Sequence, residues 1–382
     1  RYNRDQVRIR SANQRIRVIG GESAQDTKIY GGVLRLQPNT YGTYTLVNDV
    51  PMETYLRGVV PHEIGLGAPQ PAIEAQAVLA RTYALRNLRR FAIDNYQLCA
   101  DTQCQVYWGL GGAAAASDRA IATTQNQVLT YQNELVDALY SSTTGGVTAP
   151  FSHVWNGPDR PYLRPVVDSV LGAWDLALRP LDNEANFKAF IGLRQGFNEE
   201  TWDTFRWQFD SPLAEIAQDI RLYLERQKDP KASFSQIQNV RVSERAVSGR
   251  VQAVEVRTDA GTVTLHKDEI VRVLSAPRSL LFYIEPTFQA PSAPPAPPAG
   301  AASTPTAAPA QPVLTGFRFV GGGRGHGVGL SQTGAYNLGR LGWSYDRILQ
   351  FYFPGTTLQT INPSLVLWRD PEMPQQSSPP GG

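Results

Sequence analysis

The sequence predicts an α+β protein: a mixed, largely antiparallel, β-rich body with packed helices and a helical insertion. Three patterns carry that expectation. Short alternating segments broken by glycine turns open the chain and return after residue 237. An alanine-rich run lies between residues 71 and 91, and a second stretch with helical periodicity spans residues 185–227. Across 382 residues, 42% are apolar and 18% charged, a globular balance. No apolar run approaches the roughly 18 residues of a membrane span. A net charge of +2 is too near neutral to argue for a nucleic-acid partner.

The elements follow in order. The N-terminus is locally basic, with Arg1, Arg4, Arg8, Arg10, Arg15 and Arg17 against Asp5 alone. A solvated edge strand or arm is the plainer reading of that run, and an anionic polymer partner the other. Because the first residue is Arg1 and not Met, a processed product whose leader is already gone is expected. Residues 15–47 read as short antiparallel strands, with turns at Gly20-Gly21, Gly31-Gly32 and Pro38-Asn39. Asn48-Asp49-Val50-Pro51 then opens a helix, with Asp49 as cap and Glu53 in the first turn. A second helix runs from about Pro71 to Phe91. Its alanines let it approach other backbones closely, which places it in the core. Residues 127–140 read as strands around Gln132-Asn133. Residues 185–227 read as helix, with Trp202, Phe205, Trp207, Phe209, Leu213, Ile216, Ile220 and Leu224 as its apolar positions. Strands return over 237–284. Residues 288–312 form a proline- and alanine-rich spacer, read as an insertion between two strands of one domain. A single domain to residue 370 and a disordered tail over 371–382 complete the expectation.

Cys99 and Cys104 are the two cysteines. Their spacing suits a local disulfide in an oxidising compartment, and also half of a zinc site. None of the four histidines, His62, His153, His266 and His326, lies inside that loop, so the disulfide is the favoured reading.

Three blocks could carry chemistry. Glu63 follows Pro61 and precedes Gly65 and Gly67, on what reads as a stiff loop beside an apolar helix. A carboxyl desolvated there would hold its proton near neutral pH. Spacing alone favours a capping or salt-bridged glutamate. Arg81, on the alanine-rich helix, could bind an anionic sugar substituent or form a structural ion pair. The block from Gly321 to Gly329 has six glycines in nine residues around His326. It allows close approach of a ligand, or else a bulge leading into a helix from Gln332. Phosphate-loop and dinucleotide patterns fail there. The third block, Ser141-Ser142-Thr143-Thr144-Gly145-Gly146, could hydrogen-bond sugar hydroxyls or be a polar turn. It lacks a nucleophile elbow.

Together these blocks resemble the stage II sporulation protein D family (SpoIID/LytB). The resemblance lies in residues Asn48–Glu63 and Ala72–Ala84, in Ser141–Gly146 with Val154-Trp155, in Gly325–Ala335, and in Ile348–Thr356. It covers about residues 15–358 without the spacer. It implies a SpoIID-like fold acting on peptidoglycan outside the cytoplasmic membrane, in the periplasm, in the cell wall or secreted. The family's sporulation members are lytic transglycosylases that cut glycan strands stripped of stem peptides, leaving 1,6-anhydro ends. The family glutamate maps onto Glu63 as general acid and base, and the family arginine onto Arg81. Arg81, Gln76, Ser142, Thr143, His326, Ser331 and Gln332 are the implied substrate contacts. Some members bind zinc near the cysteine segment. Cys99 and Cys104 have no histidine nearby, so no cofactor is expected. The chain departs from the family pattern in its spacer and at Thr144, in a loop more often serine-rich.

One carboxylate suits this reaction. Ordinary glycosidases use two. Here the substrate's own 6-hydroxyl attacks, so one glutamate can protonate the leaving oxygen and then accept the hydroxyl proton. Under the alternative reading, other family members enhance a cell-wall amidase, and the groove binds glycan without cutting it. A wall scaffold tethered through the spacer ranks last.

Overall fold

The computed structural model describes residues 6–20, 27–289 and 312–368. Arg1, Arg4 and Asp5, the turn residue Gly21, nearly all of the spacer and the C-terminal tail lie outside the described residues. The architecture is mixed α+β, with antiparallel pairing in its three-stranded sheets. Where one domain to residue 370 was expected, the chain divides into two compact units. Residues 1–140 and 329–382 form the first, and residues 141–328 the second. Among the described residues, no helix is long and apolar enough to cross a membrane.

The first unit opens with strands β1 (Val7–Ile19), β2 (Thr27–Pro38) and β3 (Tyr44–Asp49), in the order β1-β2-β3. Helices α1 (Met52–Glu63), α2 (Gln70–Arg86) and α3 (Ala115–Thr123) follow. Strands β4 (Gln127–Tyr131) and β5 (Glu134–Leu135) form a hairpin whose turn residues, Gln132 and Asn133, both take positive φ. The short strand β6 (Tyr140–Ser141) leads out of this unit. After the second unit the chain resumes with β13 (Leu330–Ser331), α7 (Gln332–Arg340), α8 (Tyr345–Tyr352) and β14 (Thr357–Thr360). Strand β14 pairs with β4.

Helix α2 is the centre of the first unit. Twelve of the thirteen residues from Ala72 to Ala84 are buried, Glu74 being the exception, so the helix has almost no solvent face over that stretch. It packs against α1, α3, α7, α8 and β4. It stops at Asn87, whose side chain donates to the Tyr83 carbonyl at 2.8 Å, short of the expected end near Phe91. Helix α1 differs from expectation at both ends. Its N-cap is Pro51 with no side-chain cap; Asp49 instead pairs with Arg35 at 3.2 Å. The helix continues through Pro61 to Glu63, so Glu63 is helical and not on a loop. A proline in the last turn forfeits one hydrogen bond, and burial of Leu56, Val59, Val60 and Ile64 outweighs that loss. Gly65, at φ +78°, then ends the helix.

The second unit contains α4 (Glu184–Gly192), β7 (Trp207–Pro212), α5 (Leu213–Gln227), β8 (Ile237–Arg245), β9 (Val251–Thr258), β10 (Gly261–His266), α6 (Asp268–Val273), β11 (Phe282–Gln289) and β12 (Val313–Gly321). Its two sheets run β10-β9-β8 and β11-β12-β7. The helical reading of 185–227 fails in its middle. Trp207 and Phe209 sit on β7, opposite Gly321 and Phe319 of β12. Their i,i+2 spacing and the following Pro212 are strand signals that the surrounding helical periodicity masked. The strands flanking the spacer, β11 and β12, pair with each other antiparallel. The core of this unit gathers Trp174, Phe187, Phe190, Phe197, Phe205 and Leu281.

Candidate active site

The Glu63 carboxyl, the candidate acid, lies in the first unit. Helix α1 presents it from its last residue, and three donors converge on it. The Val106 N–H donates to Oε1 at 2.6 Å, and the side chains of Tyr140 and Gln332 supply the other two hydrogen bonds. Burial still dominates, and the carboxyl is held above its ordinary value of 4.5 because desolvation outweighs the three donors.

The donors are themselves oriented. Tyr55 donates its hydroxyl proton to Gln105 Oε1 at 3.0 Å, and Gln105 Nε2 donates to the Tyr140 hydroxyl oxygen at 3.1 Å. The lone pair of Tyr140 is thereby engaged, which leaves its proton for Glu63. Burial first, and the neighbouring Glu63 charge second, hold the Tyr140 phenol well above its ordinary value, so it stays a donor. Gln332 Nε2 reaches the Glu63 carbonyl at 3.0 Å and Gln76 Oε1 at 3.2 Å. Gln76 is fully buried on α2, and its Nε2 has no hydrogen-bond partner among the described residues.

The loop carrying Gln105 and Val106 is pinned from two sides. Cys99 and Cys104 form a disulfide with Cα atoms 5.6 Å apart, immediately ahead of Gln105. Behind it, the Tyr107 ring lies against Gly58 of α1. A Cβ at Gly58 would fall 2.4 Å from that ring, so glycine there permits the approach. Tyr107 also stacks on Tyr55, with centroids 5.1 Å apart. Tyr55 and Tyr107 further line a cavity of about 400 Å³ with Tyr30, Leu34, Met52 and Tyr96; Glu63 is not part of its wall.

Two residues taken for sugar contacts do structural work. Arg81 is fully buried, and its fork is spent inside the unit: Nε and Nη2 grip both Glu53 oxygens at 2.8 and 2.7 Å, and Nη1 reaches the Gln127 carbonyl. That is the ion-pair reading of Arg81, and it ties α2 to α1 and β4. Ser331 caps α7, accepting from the Gly334 N–H at 3.1 Å, and is fully buried.

Ser142, Thr143 and His326 belong to the second unit. Ser142 is half-buried there. Thr143 is fully buried; its Oγ1 meets Thr204 Oγ1 at 2.8 Å, and its backbone bridges to Arg324 of the glycine block. His326 is half-buried, with Nδ1 accepting from the Val328 N–H and its ring 5.0 Å from Trp155. These two loops rest on buried ions that composition did not single out. Glu199 accepts from the Thr144 N–H and hydroxyl and from the Gly146 N–H. Arg250, fully buried, donates to the Thr144 and Val147 carbonyls. Gly327 lies so close that an added Cβ would meet Arg250 Nη2 at 2.1 Å, and its φ is +71°.

Tyr140, Gln105 and Val106 escaped the sequence reading. Val106 contributes only a backbone N–H, which leaves no side-chain signal. Tyr140 immediately precedes the Ser141–Gly146 block, and that adjacency was the available clue. Among the described residues, no group of three or more His, Cys, Asp or Glu side chains is placed to hold a metal ion.

Comparison with known proteins fits this division. Residues 40–131 match the model of the stage II sporulation protein family, and residues 149–329 match a domain of unknown function (DUF8618). The chain is 27% identical over 370 residues to the amidase enhancer of Bacillus subtilis (strain 168), covering 89% of this chain and 48% of that protein. It is 24% identical over 351 residues to an uncharacterized protein of Brachyspira hyodysenteriae, covering 90% of this chain and 75% of that one. Stage II sporulation protein D of Bacillus subtilis (strain 168) is 33% identical over 144 residues, 34% of this chain and 40% of that protein. The chain thus spans about half the length of the amidase enhancer, or less in the case of the sporulation protein. Residues 40–131, the segment that carries Glu63, thus place this part of the chain in the SpoIID/LytB family.

Proposed function

We propose that this chain acts outside the cytoplasmic membrane on the glycan strands of peptidoglycan, as a lytic transglycosylase with Glu63 as its acid and base. The observation that carries the reading is a single largely buried carboxyl at the end of α1 on which the Val106 N–H and the side chains of Tyr140 and Gln332 converge. A raised value favours the protonated carboxyl that donates to the glycosidic oxygen. As the C1–O bond breaks, Val106, Tyr140 and Gln332 stabilise the carboxylate that forms. That carboxylate then takes the proton of the sugar's 6-hydroxyl as its oxygen closes on C1. The products are a 1,6-anhydro end and a free leaving hydroxyl, with no water consumed, and Glu63 returns to its protonated state. Gln76 and Gln332 are the sugar-binding groups nearest this carboxyl; Ser142 and His326 are candidates in the second unit.

The test is mass spectrometry of stem-peptide-free glycan strands after incubation. Anhydro-ended products are expected from the native protein, and a loss of at least about 100-fold in Glu63→Gln, the scale of general acid catalysis. Unchanged turnover in Glu63→Gln excludes Glu63 as the acid.

A second reading has its own support. The relative named amidase enhancer matches 89% of this chain, the sporulation protein only 34%. Under this reading the protein binds glycan and enhances a cell-wall amidase as its partner. Glycan binding without anhydro products, in native protein and Glu63→Gln alike, would favour it.

A further inference from the structure

The basic N-terminal run plays no part in the chemistry at Glu63. In the structure it becomes β1, the edge strand of the sheet β1-β2-β3. Strands β1 and β2 carry Arg8, Arg10, Arg15, Arg17, Lys28 and Arg35 and no carboxylate. Among the described residues, only Arg35 of these is neutralised, by Asp49. The side chains of Arg8, Arg10, Arg15 and Arg17 are exposed, and none makes a hydrogen bond or ion pair among the described residues. The whole chain nets only +2, so positive charge is concentrated on this ribbon.

Strand geometry gives the charge a form. Arg8 and Arg10 share one face of β1, as do Arg15 and Arg17, each pair spaced by roughly 7 Å. The bulge between Arg10 and Arg15 separates the two pairs. An extended row of unpaired guanidinium groups matches a linear polyanion. Arginine, with its planar fork, favours phosphate oxygens over simple charge pairing. Nucleic acid fits less well. Strand β1 has no aromatic residue, and Tyr30 of β2 is half-buried beside Tyr107; the exposed rings of this sheet, Tyr41 and Tyr44, lie at the β2–β3 turn, so no aromatic side chain is interleaved with the arginines along β1.

We propose that the β1–β2 ribbon binds a linear phosphodiester polymer of the cell wall, a poly(polyol phosphate), along Arg8, Arg10, Arg15 and Arg17. The choice of a wall polymer rests on the cell-wall reading above; the cationic ribbon does not. Bound there, the polymer would hold the protein at the wall without occupying the Glu63 site.

The test measures binding of the intact protein to immobilised poly(glycerol phosphate) at about 50 and about 200 mM salt, with duplex DNA and phosphatidylglycerol vesicles as parallel arms. Tightest binding to the polymer, weakened by salt, is expected. The variant carrying Arg8→Gln, Arg10→Gln, Arg15→Gln and Arg17→Gln should lose about 10-fold or more in affinity with its melting curve unchanged. Each single substitution should lose a smaller share and lower the salt slope. Undiminished polymer binding by the fourfold variant overturns the proposal. So does native binding to DNA or vesicles as tight as to the polymer. The polymer contains no glycan, so the result is read independently of whether Glu63 turns over a strand.

Discussion

At the scale of residues, Glu63 is defined by the balance between its burial and its donors. The folded protein binds its proton more tightly than the unfolded chain, because desolvation holds the carboxyl above 4.5. Its contribution to stability is therefore full below pH 4.5 and is lost as pH rises through the folded value. Glu63→Gln removes that titration while preserving the side chain's shape. Melting temperatures of the two proteins should diverge in favour of the variant between about pH 4 and pH 7. A difference that does not change with pH would mean that Glu63 titrates normally. The same substitution thus separates catalysis from stability: it should abolish turnover while stabilising the fold at neutral pH. Little of this balance was legible beforehand. The glutamate was visible as a motif residue, but its donors are a backbone N–H from Val106 and a tyrosine 77 positions further along the chain.

At the scale of elements, Arg81 shows how a motif residue can serve the fold. Its side chain is fully buried, while that of Glu53 is 29% exposed, so removing the arginine leaves a carboxylate with partial access to water. Arg81→Ala should cost about 3–5 kcal/mol in urea unfolding, through the lost pair and the unpaired Gln127 carbonyl. A substrate contact would behave differently, lowering glycan affinity at unchanged stability. Burial accounts for the readings that missed. Local rules ended α1 before Pro61, but buried apolar neighbours carried the helix on to Glu63. The same rules extended a helix through Trp207, where pairing with β12 made a strand. By contrast, α2 and the β4–β5 hairpin were legible, because an alanine-rich run and a Gln-Asn turn each favour one local structure.

At the scale of the whole molecule, the first unit is discontinuous in sequence, and the second is one uninterrupted segment. The two strands of chain that leave and re-enter the first unit are adjacent, with the Leu330 N–H donating to the Leu139 carbonyl at 3.1 Å. Replacing residues 141–328 by a short glycine-serine linker should therefore leave a first unit that melts cooperatively. Residues 141–328 expressed alone should do the same around their aromatic core. Non-cooperative melting of either piece would show that it does not fold independently.

The sequence by itself determined the fold class, the family-bearing segments, the buried alanine-rich helix and the glutamate on which the proposed chemistry turns. These rest on local composition and contiguous motifs. The tertiary structure alone decided that Arg81 is a buried brace, that Tyr140 and Val106 serve Glu63, that residues 141–328 form a separate unit, and that four arginines on one edge strand have no acidic partner among the described residues. Each depends on which distant residues share a neighbourhood, and desolvation and pairing are set there, not by order along the chain.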